Sequence, residues 1–94
     1  MEDKILDWAI ERDILKYDNR FKQLAKVNEE VGELCSAMLK DDKVEIIDAL
    51  GDAYITLVIL AAQMDLSLDN CIERAFKVIE HRRGETRNGT FIKE

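Results

Sequence analysis

The sequence predicts an all-α fold, a four-helix bundle-like protomer. Three observations point there. Apolar residues recur at intervals of three and four along most of the chain, the spacing of one helix face. Proline is absent and there are only four glycines, which suits helices and argues against a turn-rich β fold. Two segments open with helix-capping chemistry, one at Asp42-Lys43-Val44-Glu45 and one at Ser67.

The first helix is predicted from about Asp3 to Lys16, with Ile5, Trp8, Ala9, Arg12 and Leu15 on one face. Trp8 and Arg12 are one turn apart and can lie together. Trp8 is read either as an anchor of the small core with Arg12 packed over it, or as a surface on which a base stacks. Tyr17-Asp18-Asn19 breaks the pattern, and Asp18 or Asn19 can cap the second helix. That helix runs to about Lys40. Leu24, Val27, Val31, Leu34, Cys35 and Met38 form its expected buried stripe, with Gln23, Lys26, Glu30 and Glu33 along one flank.

The third helix is predicted from Val44 to Met64. Its second half, Ala53 to Ala62, is apolar nearly all round, so it should be central and touch several neighbours. The fourth runs from about Leu68 to Arg82. Its expected buried stripe is Cys71, Ile72, Ala75, Phe76 and Ile79, with a basic last turn at His81-Arg82-Arg83 and a stop at Gly84. One domain is expected, 1–94. Residues 85–94, with the turn signal Asn88-Gly89, form a tail or an arm that packs on another subunit.

Composition narrows the function classes. A net charge of −6 makes the chain a poor binder of nucleic acid polymers through its overall field. No apolar run is long enough to cross a bilayer, and Met-Glu-Asp-Lys lacks the pattern of a signal peptide. These features suggest a cytoplasmic protein. Cys35 and Cys71 are then expected as buried thiols, since two single cysteines make neither a disulfide framework nor a zinc site. A short chain with so apolar a third helix should also associate with itself.

The informative pattern is acidic. Glu30 and Glu33 are three apart, Asp48 and Asp52 four apart, so each pair projects from one helix face. Asp48 and Asp52 continue the stripe of Ile55 and Ile59 and are expected to face inward. Like charges there lose hydration and repel, unless a cation offsets them. Lys26 is one candidate; a bound Mg²⁺, which prefers oxygen ligands, is a better one. Its natural guest is a phosphate chain. Helical bundles build metal sites in this way, but a di-iron site wants Glu-x-x-His, and the sole histidine, His81, directly follows Glu80. Gly51 beside Asp52 suggests close approach of a helix or a ligand.

Glu29-Glu30-Val31-Gly32-Glu33-Leu34 followed by Leu50-Gly51-Asp52 resembles the MazG-like branch of the all-α nucleotide pyrophosphohydrolases, relatives of the dimeric dUTPases. The resemblance extends to Lys22-Gln23-x-x-Lys26 and to Arg83-Gly84 through Glu94. It implies hydrolysis of a nucleoside triphosphate between the α and β phosphates. It further implies Mg²⁺, or Mn²⁺ in its place, held by Glu30, Glu33, Asp48 and Asp52. Glu29 would orient the water, Lys26 would stabilise the leaving group, and Gln23, Trp8, Lys77 and Arg83 would bind substrate. The assembly implied is a homodimer or homotetramer. In the second motif the family's glutamate falls on Ala49. Asp48 can take its role. Glu45-x-x-Asp48 also matches the signature, but the capping box explains Glu45. A degenerate member that binds nucleotide without turnover, or a helical module whose acidic flank binds a basic partner, are the other readings.

Overall fold

In the computed structural model, which describes residues 1–94, four helices precede a small hairpin. α1 spans Glu2–Glu11, α2 Arg20–Lys40, α3 Lys43–Gln63 and α4 Leu68–Ile79; β1 is Gly84–Arg87 and β2 Thr90–Lys93. The all-α expectation holds, with the hairpin as its one addition. α2 and α3 have 21 residues each, so each is about 31 Å long. Asp41-Asp42 alone joins them, and so short a link folds one helix back along the other. α3 touches all three other helices, as its nearly continuous apolar run predicts.

Aspartates end three of the helices. Asp13, Asp41 and Asp65 have φ of 58°, 54° and 58°. The next amide reaches back five residues each time: Ile14 to the Ala9 carbonyl, Asp42 to Ala37, Leu66 to Ala61. Glycine usually fills this left-handed position, but a short polar side chain tolerates it. The first helix therefore stops at Glu11 rather than Lys16. Its missing last turn lets Ile14 and Leu15 fold onto the core. That core is Ile5 and Ala9 of α1 against Val58 and Ile59 of α3, flanked by Leu6, Ile14, Leu15, Tyr54 and Leu68.

Trp8 is not part of it. Its side chain is 46% exposed, with the Arg12 guanidinium 4.5 Å from the ring centroid. Arg12 also donates to the Trp8 carbonyl oxygen. The Arg12 stack is present, but Trp8 is no core anchor.

A buried glutamate ties the two ends of the helical body together. Glu2 accepts from the Ser67 hydroxyl and the Asp69 amide, both at 2.8 Å. Its charge sits at the α4 N-terminus, where helix dipole and free amides favour an anion. These hydrogen bonds hold the Glu2 carboxyl below its usual range, while burial and the Glu2 charge push Asp69 up. Ser67 also accepts from the Asn70 amide, as its capping role predicts.

Several expected stripes are rotated or uncovered. The α2 face against α3 carries Gln23, Val27 and Ala37, with Glu30 and Leu34 half-buried. Of the expected stripe, Leu24, Val31, Cys35 and Met38 are exposed, because the buried face lies about one residue position away. α4 buries none of its residues, so Cys71, Ile72, Ala75, Phe76 and Ile79 are all exposed. Neither cysteine is a buried thiol. α4 ends at Ile79, before the basic residues 81–83, and Gly84 opens β1 instead of stopping the helix. A side chain at Gly84 would collide with the Ile92 carbonyl. The tail is an ordered antiparallel hairpin, pairing Gly84 with Lys93 and Arg87 with Thr90. Asn88 and Gly89, at φ 51° and 79°, make the two-residue turn that fits strand twist.

The protomer is extended for its size. It exposes 7584 Å², about 2,000 Å² more than a folded monomer of this mass should. Its radius of gyration is 16.0 Å, against about 12.4 Å for a compact chain of this length. Leu24, Val31, Met38, Ile72, Phe76 and Ile79 lie on that surface, and an obligate homo-oligomer would bury an area of that order. Sedimentation at micromolar protein is expected to give a dimer or tetramer. A sharp monomer peak across that range would contradict this.

Candidate active site

Two helix faces converge on one acidic pocket. α2 supplies Glu33, Ser36 and Lys40; α3 supplies Glu45, Asp48, Ala49 and Asp52. Both sets follow helical spacing, so antiparallel packing brings them together. The pocket is open, with a volume of ≈ 310 Å³. Its one cation is Lys40, whose Nζ lies 3.9 Å from a Glu45 carboxylate oxygen.

Glu30 lies beside this pocket, half-buried. One of its carboxylate oxygens is buried with no hydrogen-bond partner. Burial first, then the Glu33, Asp52 and Glu29 carboxylates, push its pKa up. An unpartnered buried oxygen among like charges is the setting a hard cation relieves. The donor set, all carboxylate, suits Mg²⁺ or Mn²⁺. The side chains do not converge on a single point: no group of three or more acidic, histidine or cysteine residues has metal-binding geometry. Glu30, Glu33, Asp48 and Asp52 thus share a site without being pre-folded round an ion. Their mutual repulsion favours splayed side chains.

Asp48 and Asp52 were expected to face inward. Both are exposed on the protomer. α1 is short and packs on α3 only near Tyr54, Val58 and Ile59, so the first half of α3 has α2 as its cover. Gly51, expected at a close approach, meets nothing: a Cβ there would touch no atom within 4 Å. Glu45 corrects a further expectation. Asp42 accepts from the Glu45 amide at 3.2 Å, which is half of a capping box. The Glu45 side chain does not return the bond; it turns into the pocket towards Lys40.

The other sequence-predicted residues are scattered. Glu29 and Lys26 are exposed on α2 and do not line the pocket. Gln23 is buried and donates to the Thr56 carbonyl at 3.1 Å, so it ties α2 to α3. Lys77 pairs with Glu73 at 3.4 Å and Arg83 with Glu94 at 3.6 Å, both on the surface. Trp8 lines a separate cleft that shares Asp52 with the pocket. Ser36 and Lys40 were missed. Their signal was present, since they follow Glu33 by three and seven residues on the same helix face.

The family described as phosphoribosyl-ATP pyrophosphohydrolase matches residues 8–85. A protein of Haemophilus phage HP1 (strain HP1c1), described as an uncharacterized 18.2 kDa protein in the rep-hol intergenic region, is 37% identical over 70 residues. The alignment covers 74% of this chain and 42% of that relative, so the chain spans less than half of the relative's length. No solved structure gives a significant match.

The raised Glu30 pKa sets a pH dependence for the metal-free protein. Below the ordinary carboxylate value of 4.5 both folded and unfolded states hold the proton. As pH rises from there through the raised folded value, only the unfolded state gives up its proton easily, so stability falls. Glu2 and Asp18, whose carboxyls are held low, contribute the opposite slope, so the Glu30 part is read as the difference in urea midpoint between the wild type and a Glu30 variant, measured in chelator between about pH 4 and pH 7. Glu30→Gln should gain on the wild type as pH rises through that window.

Proposed function

The chain belongs to the phosphoribosyl-ATP pyrophosphohydrolase family, within the MazG-like all-α NTP pyrophosphatase superfamily, and we propose that it hydrolyses a nucleoside triphosphate between the α and β phosphates. Water supplies the oxygen that bonds to the α phosphorus. The bond from that phosphorus to the bridging oxygen breaks, and pyrophosphate leaves with the electron pair. The observation that carries the reading is the shared pocket of Glu33, Glu45, Asp48 and Asp52 beside the unpartnered oxygen of Glu30.

Four ionised carboxylates repel a polyphosphate, so the substrate needs a divalent cation between itself and the protein. Glu30, Glu33, Asp48 and Asp52 would hold Mg²⁺ or Mn²⁺, which neutralises phosphate charge and acidifies bound water. Glu45, which lines the pocket, would orient the attacking water as general base, in the role that the sequence suggested for Glu29. Lys40 replaces Lys26 as the cation that stabilises charge on the leaving pyrophosphate. The assembled enzyme is read as a homodimer or homotetramer. Ala49 supports a second reading. It lines the pocket and brings no oxygen, at the position where the resemblance implies a glutamate. A chain lacking that ligand would bind nucleotide without turning it over.

A screen of nucleoside triphosphates, with phosphoribosyl-ATP included, decides between them. Mg²⁺-dependent pyrophosphate release is expected; saturable nucleotide binding with no release would establish the second reading. Mg²⁺ should raise the melting temperature, as a ligand of the folded state does. Asp52→Asn should abolish release and blunt that rise, while leaving the metal-free protein as stable or more so. If Asp52 is merely structural, the variant will melt earlier with and without Mg²⁺.

Glu45→Gln keeps the amide bonded by Asp42, so stability should be nearly unchanged while kcat falls by about a hundredfold or more, the usual range for a general base. Asp42→Ala should do the reverse, costing about 1 kcal/mol of stability and sparing activity. Full activity in Glu45→Gln would remove it from the mechanism.

A further inference from the structure

The Gln23 amide makes the one side-chain hydrogen bond between α2 and α3, donating to the Thr56 carbonyl oxygen at 3.1 Å. Gln23 is 6% exposed. An apolar side chain of its size would fill that place without desolvating a polar group. What the amide adds is direction: a hydrogen bond holds one relative placement of two helices, where apolar contact tolerates several. Thr56 extends the link. Its hydroxyl donates to the Asp52 and Ala53 carbonyls, at 3.0 and 2.9 Å. Gln23 is thus bonded to the turn of α3 that carries Asp52. The acidic pocket lies between two fixings. At one end the Asp41-Asp42 link joins the helices; at the other stands Gln23, about 26 Å along α2 from Lys40. Measured from the Gln23–Thr56 bond towards the link, Asp52 lies about 6 Å along, Glu30 about 10 Å, Asp48 about 12 Å and Glu33 about 15 Å. Carboxylates of the two helices therefore face one another in this register, and their repulsion pushes the pair apart. Little else resists at the open end. Beyond Glu30, α2 buries only Gln23 and Val27, and the core cluster of Ile5, Ala9, Val58 and Ile59 includes no residue of α2.

We propose that Gln23 is a positioning residue of the active site: its bond to Thr56 holds the open end of the α2–α3 pair closed, so that Glu30 and Glu33 stay opposite Asp48 and Asp52 before any cation arrives. The inference rests on the pyrophosphohydrolase reading, in which those four carboxylates hold the divalent ion. It gives Gln23 a different part from the substrate contact that the sequence suggested, since the amide is buried and already engaged. Without the bond, repulsion relaxes by splaying the helices. The metal-free protein then loses little, because the Thr56 carbonyl lies inside α3 and keeps its helical hydrogen bond. The cost appears on binding, when the splayed carboxylates must be brought together again; a site held ready in advance avoids it.

Gln23→Met, unbranched and close to glutamine in size, removes the donor and leaves no cavity; Gln23→Leu is the second variant, and circular dichroism checks the fold of both. In chelator, the melting temperature is expected to equal or exceed that of the wild type, since an apolar side chain replaces a buried polar one. Mn²⁺ affinity without nucleotide, read from the paramagnetic resonance of the free ion, is expected to fall about tenfold, the lower end of what losing a supporting hydrogen bond does to a metal site. Pyrophosphate release should be impaired at low Mn²⁺ and return to the wild-type kcat at excess Mn²⁺. A lower melting temperature with unchanged Mn²⁺ affinity would make Gln23 a stabiliser of the fold only, and would overturn the proposal. So would unchanged Mn²⁺ affinity with a raised KM for nucleotide at saturating Mn²⁺, the behaviour of a residue that touches substrate. Binding of Mn²⁺ by the wild type that depends on Gln23, with no release from any triphosphate, would support the positioning role and defeat the enzymatic reading. A wild type that binds no Mn²⁺ would overturn both.

Discussion

Mutual repulsion among carboxylates on two facing helices is the constraint to which the rest of the structure answers. Glu30 keeps one oxygen buried and unpartnered, and Glu33, Asp48 and Asp52 gather nearby without a cation of their own. Lys40 offsets only Glu45, and at 3.9 Å an exposed pair contributes little. The α2–α3 pair must therefore be held by other means. Small buried side chains on both helices, Ala37 and Ala49, permit close packing, and Val27 adds apolar contact. The Gln23 amide fixes the register through the Thr56 carbonyl. α1 then covers the far half of α3, where no carboxylate intervenes. The scaffold is arranged around a charge cluster that it does not itself neutralise.

How much of this could be read from the sequence depended on what each signal measures. Helix identity was legible, because periodicity and the caps at Asp42 and Ser67 are local properties. The acidic pocket was legible for the same reason: Glu33, Asp48 and Asp52 share faces by spacing alone. Depth was not legible. Periodicity shows that a stripe exists, not which element covers it. Leu24, Val31 and Ile72 form good stripes with nothing over them in the protomer. Asp13 carried no helix-stop signal, because aspartate in a left-handed turn looks like any acidic surface residue. Glu45 was obscured by an adequate local explanation, the capping box, of which only the backbone half forms. Glu2 was invisible, since its partners Ser67 and Asp69 lie at the other end of the chain.

The uncovered stripes and the acidic pocket are two aspects of one economy. A chain of 94 residues with 21 in α2 and 21 in α3 has few left to cover them. α1 is ten residues long and α4 twelve. Such short helices cannot bury both faces of a long helical hairpin. The pocket stays open to solvent, and so do the apolar faces of the long helices.

The Glu2 clamp has a consequence for the order of folding. The contact between α2 and α3 is local in sequence, closed by a two-residue link, and can form early at small entropic cost. The clamp joins residues 65 and 67 positions apart, so its loop spans most of the chain and closes late. Until it closes, α1 rests on α3 through Ile5 and Ala9, and α4 through Leu68. The clamp therefore couples the two outer helices to each other. Opening the clamp in the native protein should expose both to hydrogen exchange together while the α2–α3 pair stays protected.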